Sequence, residues 1–235
     1  MIADPFARLD EIATVLAPDR WMLVGGLMVH AHAQLAALPH VRPTDDADLV
    51  VELRAGTYAE AVGALEHLGY RRHEPLDPRA PLHRFTRPDG HVDLMAPENR
   101  AVRFAGRDVV RVPGARSALE RTATFQTPGG TTIRIPDIAS ALSLKGAAYH
   151  TPSANPERHL QDAVTLFACA AEADMPVSKS MRANINILVG ALNTPDAWAY
   201  SNASVRRLAV RAILSFRPDW TPPEFALPRR PPRTL

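Results

Sequence analysis

A single cysteine, Cys169, stands in a chain of 235 residues, so no internal disulfide can form, and a reducing compartment fits. No stretch reaches the ~18 consecutive apolar residues of a membrane helix. The opening MIADPFARLDEIATVLAPDRW holds neither a basic leader nor a long apolar run, which is not the pattern of a signal peptide. GxSxG, CxxC and HExxH are absent, removing the nucleophile elbow, the dithiol pair and the zincin helix from consideration. No internal repeat is visible. These absences lead to the expectation of a cytoplasmic protein with no membrane segment.

What is present fits a globular protein: 46% of the residues are apolar and 22% charged. The length suits one large domain or two small ones. Net charge is +2, but unevenly spread. Residues 178–235 carry nine Lys/Arg against three acids, a balance of +6, and residues 1–177 stand at −4. A polyanionic partner for the basic half is one reading; solvated helix faces are the other.

Asp4 and Pro5 can open a first helix carrying Phe6, Leu9, Ile12 and Leu16 on one stripe. WMLV (21–24) reads as a buried strand running through Gly25-Gly26 into a helix to about Leu38, and DADLVVEL (46–53) as a second strand. Thr57 and Glu60 form a capping box for a helix that Gly69 closes. LHRFTR (82–87) and HVDLMA (91–96) flank PDG as a hairpin, and ATFQT and TTIRI flank Pro128-Gly129-Gly130 likewise. Residues 97–121 read as irregular or strand-like. From Asp137 the pattern is helical over 137–149, 158–173, 178–191 and 204–216. The last 18 residues hold six prolines and are expected to be extended. The expected order is an α+β chain: an α/β core over 1–135, a helical domain over 136–217 and a Pro/Arg-rich tail over 218–235.

VRPTDDADLVVEL (41–53) places Asp45, Asp46 and Asp48 at the mouth of a strand, where carboxylates are disfavoured and repel one another. Residues two apart share a strand face, so Asp46 and Asp48 point one way with Val50, and Ala47, Leu49 and Val51 the other. Such a pair suits a hard divalent cation that phosphate oxygens complete. In HVDLM, Asp93 faces away from Val92 and Leu94, and as a third carboxylate it would make a two-metal site for phosphoryl transfer. A capping role for Asp46 and Asp48, or an exposed position for Asp93, is the plainer alternative. VGGLMVHAHAQL adds a strand, Gly25-Gly26 and a helix start, a geometry that offers backbone N–H groups to an anion.

On the helix from Asp137, Lys145 lies at spacings of 7, 4 and 3 from Ile138, Ala141 and Leu142, inside the apolar stripe. A lysine there is paired, or contacts a phosphate, or snorkels to the rim. Asp162 is the only charge in LQDAVTLFACAA and is placed to pair with Lys145 or Arg158, or to orient an acceptor. His30 and His32, about 200° apart on a helix, cannot share a metal. Cys169 reads as core.

VGGLMVHAHAQLAALPHVRPTDDADLVV followed by HVDLM resembles the DNA polymerase β-type nucleotidyltransferase fold. The form R-x-T-x-D-x-D, here Arg42, Thr44, Asp46 and Asp48, is similar to its AbiEii branch, which includes type IV toxin–antitoxin toxins and MenT-type enzymes. LSLKGAAYHTPSANPERHLQDAVTLFA matches that branch's Lys motif, Arg-rich turn and helical Asp. The likeness spans roughly 20–170. Gly26 departs from the branch's frequent Ser and His159 from its frequent Asp. The resemblance implies a nucleotidyltransferase-type mixed sheet with flanking helices and a C-terminal helical domain. It further implies Mg²⁺ on Asp46, Asp48 and Asp93, a nucleoside triphosphate held by Gly25, Gly26, Thr44 and Lys145, and catalytic roles for Lys145 and Asp162. An RNA acceptor, with tRNA favoured, and a toxin with a cognate antitoxin follow from it. The rivals are transfer to a small molecule such as an aminoglycoside, and a catalytically silent nucleotidyltransferase-like binding module.

Overall fold

The stripe Phe6, Leu9, Ile12 and Leu16 is buried as its spacing requires. In a computed structural model of the chain, which describes residues 4–39, 42–44, 46–75, 77, 79–152, 155–173 and 175–227, it belongs to α1 (Ala7–Ala13) and the turns beside it. Asp4 does not cap this helix at Pro5. Its Oδ1 accepts the Phe6 N–H at 2.9 Å, fixing the turn before the helix.

Strand β1 (Trp21–Val24) runs directly into α2 (Gly25–Leu35), so the glycine pair lies in the first helical turn and the helix stops short of Leu38. β2 (Ala47–Val51) and α3 (Tyr58–His67) follow, the latter with the Thr57–Glu60 capping box in place. After β3 (Arg71–Arg72), β4 (Arg84–Arg87) and β5 (Gly90–Pro97) form the hairpin, closed at Arg87 and Gly90. The poorly patterned stretch holds three short strands, β6 (Arg103–Phe104), β7 (Arg107–Asp108) and β8 (Arg111–Val112), and α4 (Ala115–Leu119). β9 (Thr122–Gln126) and β10 (Thr132–Pro136) are a second hairpin.

The back half is α5 (Ile138–His150), α6 (Glu157–Cys169), α7 (Lys179–Ala191) and α8 (Ala203–Phe216). Side chains of Asp137, Ser178 and Asn202 cap α5, α7 and α8 by accepting N–H groups three residues on. The expected extended tail is anchored at one place in its described part: Glu224–Ala226 is a short 3-10 turn, Ala226 is buried, and the Phe225 carbonyl accepts from Arg206 at 2.8 Å. Residues 228–235 lie outside the described residues.

The protein is therefore a mixed α+β chain. Its main sheet runs β1-β2-β5-β4-β3, with β8 added at the end of β5. β2 and β5 pair parallel, and β1, β4 and β3 join antiparallel. One sheet face carries Leu23, Leu49, Val92 and Leu94 into a core shared with α2, α6 and α8. The other carries Met22, Val24 and Val50 against α4 and Leu144 of α5. That second face, where Asp48 and Asp93 also emerge, positions the site.

Candidate functional site

Asp48 and Asp93 are direct partners across the parallel β2–β5 pair. Residues in register on neighbouring strands point to one face. Each follows a residue committed to the main core, Ala47 and Val92. The alternation that buries those neighbours turns both carboxylates to the opposite side, and Asp46 precedes Asp48 by two. The three acids named from sequence thus come to one region.

Val24 pairs with Asp48 in the antiparallel β1–β2 ladder, so α2 starts directly over that carboxylate. Gly25 has φ +69°, and Asp48 Oδ2 sits where a Cβ on Gly25 would stand. Gly26 is similarly covered by the Thr44 side chain. His30, one turn further along α2, has Nε2 2.8 Å from the Arg42 carbonyl. Helix α2 takes no side-chain cap, so its positive end is directed at this cluster. His30 supports the loop, whereas His32 is buried, bonded to the Pro136 carbonyl at 3.0 Å and pushed down to about 4 by burial.

Charge accumulates here. Loss of water around Asp48, reinforced by Asp93 and Asp46 and opposed by Lys145 and Arg158, pushes its carboxyl up to about 6. Asp93 is 8% exposed and is gripped by Arg84, whose Nε and terminal nitrogen each donate to one of its oxygens at 2.8 Å. His91 Nε2 lies 3.0 Å from Asp46 Oδ1.

Near Asp48, close enough for the Lys145 charge to act on it, stands a second group. Lys145 Nζ donates to Asp162 Oδ2 at 2.7 Å, and Arg42 Nε donates to Asp162 Oδ1 at 3.2 Å. Of the two pairings read for Asp162, Lys145 is made and Arg158 is not; the second partner is Arg42, brought in by the loop that His30 holds. Burial alone would raise the Asp162 carboxyl, but the Lys145 and Arg42 charges outweigh it and hold it below the usual range. His159, three residues before Asp162, is buried, and its Nδ1 has no hydrogen-bond partner among the described residues. Burial first, then the Lys145 and Arg158 charges, press its imidazole down to about 4.

The donor chemistry suits a hard cation only in part. Asp46 and Asp48 are oxygen donors held together against their mutual repulsion, as a Mg²⁺ seat requires. Among the described residues no group of three or more His, Cys, Asp or Glu side chains forms a metal set. Asp93 spends both oxygens on Arg84.

The arginines of α8 have partners of their own, Arg207 apart. Arg206 donates to the carbonyls of Trp198, Ser201 and Phe225, an internal brace. Arg211 pairs with Glu172 at 3.1 Å, an acid beyond its own helix. Arg182 lies 4.8 Å over the Phe216 ring, linking α7 to α8. Arg207 stays exposed.

Three functional neighbours escaped the sequence reading: Arg84, His91 and Arg42 as the partner of Asp162. Arg84 had a signal, because a hairpin closing at Arg87 and Gly90 pairs Arg84 with Asp93. In comparisons with known proteins, no family model and no curated protein matches the chain.

Proposed function

We propose that the protein is a Mg²⁺-dependent nucleotidyltransferase that moves a nucleoside monophosphate from a nucleoside triphosphate to an RNA end, with tRNA as the favoured acceptor. The observation that carries this reading is the pairing of Asp48 with Asp93 beneath the start of α2, with the buried Lys145–Asp162 pair, braced by Arg42, near enough for the Lys145 charge to act on Asp48. Asp46 and Asp48 would hold the cation, which when bound supplies charge neutralisation at the transferring phosphoryl group. The α2 start at Gly25 and Gly26, with Thr44 beside it, offers N–H groups and a hydroxyl to the phosphates. Asp162, itself held by Arg42, fixes the position of Lys145 Nζ, so that its ammonium can meet developing negative charge without first being ordered. Attack by an acceptor hydroxyl on the α-phosphorus forms the new P–O bond as pyrophosphate leaves. A growth-inhibiting role countered by an antitoxin is what the sequence resemblance adds.

Transfer to a small molecule gains support from Arg206, whose guanidinium is spent on the carbonyls of Trp198, Ser201 and Phe225. The deciding experiment incubates the protein with Mg²⁺, each labelled nucleoside triphosphate and total RNA. Label on an RNA species supports the proposal. Binding of Mg²⁺–nucleotide with no labelled RNA, and label instead on an added aminoglycoside, would favour the small-molecule reading. Absence of nucleotide binding would favour a silent module.

A further inference from the structure

The β4–β5 hairpin aligns Arg84 with Asp93, and the guanidinium engages both carboxylate oxygens, Nε to Oδ1 and the terminal nitrogen to Oδ2, each at 2.8 Å. Paired forks of this kind are the strong, geometrically specific form of a charged hydrogen bond. The pair is set firmly: the Asp93 side chain is 11% exposed, and Tyr58 on α3 donates to the carbonyl of the next residue, Leu94, at 2.9 Å. Two-metal phosphoryl displacement needs a carboxylate free to reach the second ion. Here that carboxylate already has a cation.

We propose that Arg84 stands in place of a second metal ion, leaving Asp46 and Asp48 as the seat of a single divalent cation. The inference rests on the nucleotidyltransferase reading and sharpens it to a one-metal site. Charge supports it: one guanidinium and one divalent ion together balance the three carboxylates. Chemistry supports it too, because a guanidinium fixed beside the strand partner of Asp48 supplies positive charge without needing to be captured from solution. A second ion at Asp93 would have to use the lone pairs that Arg84 leaves and sit against the guanidinium's positive charge. The Arg84 side chain is 38% exposed, which leaves room to test this by substitution.

The experiment titrates the full chain with Mn²⁺ alone, counting bound ions by calorimetry and by the loss of the free-ion electron paramagnetic resonance signal. The wild type should bind one ion per chain. Asp48→Asn should weaken binding by more than the roughly tenfold seen when a metal ligand's support is lost, whereas Asp93→Asn should leave the one site little changed. Arg84→Met should expose a second site. Because that variant leaves Asp93 charged and buried, Arg84→Lys and the Arg84→Met/Asp93→Asn double variant accompany it, each expected to bind one ion, with circular dichroism confirming the fold. Two ions in the wild type, or Asp93→Asn losing metal as Asp48→Asn does, overturns the role of Arg84 and leaves the transferase reading intact. No Mn²⁺ binding by the wild type overturns both.

Discussion

Asp48 Oδ2 occupies the space that a side-chain carbon on Gly25 would need. The strand residue and the first residue of α2 therefore exclude one another's alternatives: a side chain at 25 would evict the carboxylate. Gly25 also has φ +69°, where other residues are strained.

Gly25→Ala should accordingly cost about 2 kcal/mol or more in urea unfolding, from backbone strain and the collision together. Gly63 provides the control. It lies exposed in α3 with nothing near its absent Cβ, so Gly63→Ala should stabilise the protein by roughly 0.5–1 kcal/mol. Equal unfolding midpoints for Gly25→Ala and the parent would show that Asp48 can move aside freely.

A second expectation concerns pH in metal-free buffer. The Asp48 carboxyl titrates near 6 in the folded protein against an ordinary 3.8, so the folded state holds this proton more tightly than the unfolded chain. Its favourable contribution is full below about pH 4 and is lost as pH rises through 6. Asp48→Asn should therefore melt higher than the parent above pH 6, with the advantage vanishing toward pH 4. Buried His32 and His159, held near 4, weaken both proteins as pH falls below 6.5, and so cancel in the difference between the two melting curves. A difference independent of pH would contradict the assignment.

Lys145 and Asp162 allow structure and chemistry to be separated. Breaking this buried pair by Lys145→Met should cost about 3 kcal/mol, since Asp162 keeps only Arg42. The Lys145→Met/Asp162→Leu double variant should be more stable than the two single losses summed, yet show no nucleotide transfer. Additive losses in the double-mutant cycle would mean the two charges do not support each other.

Arg206 and Arg207 are neighbours with opposite expected behaviour. Arg206→Ala removes three carbonyl contacts and should lower stability by about 1–3 kcal/mol. Arg207→Ala should leave stability within about 0.5 kcal/mol. It should also weaken RNA binding and flatten the log-affinity against log-salt slope by about one unit. A salt slope identical to the parent's would remove Arg207 from any RNA surface.

The sequence made the strand faces legible because alternation is a local property: Ala47, Leu49, Val92 and Leu94 face the core, which leaves one direction for Asp46, Asp48 and Asp93. The capping box at Thr57 was legible for the same reason. Partnerships of arginines were not. The chain places Arg42 120 residues from Asp162 and Arg206 19 residues from Phe225, and helical spacing carries no information across such distances. Arg84 was readable only with the hairpin register fixed, and counting Gly90 as loop instead of strand hid it. Pro-rich composition misled at 224–226, where Ala226 and the Phe225 carbonyl find partners that composition cannot reveal.

The continuous core beneath α2 has one more consequence. Phe6, Leu27, Leu160 and Ile213 belong to one apolar cluster, so among the described residues the strand carrying Asp48 and the helices carrying Lys145 and Asp162 rest on a shared core. If the protein is the transferase proposed, it does not close like a pair of jaws around its nucleotide: the acids and Lys145 are already set, and the substrate must do the adapting. Small-angle scattering should then give the same radius of gyration with and without bound nucleotide, and the ordering entropy of binding should fall on the ligand and on surface loops.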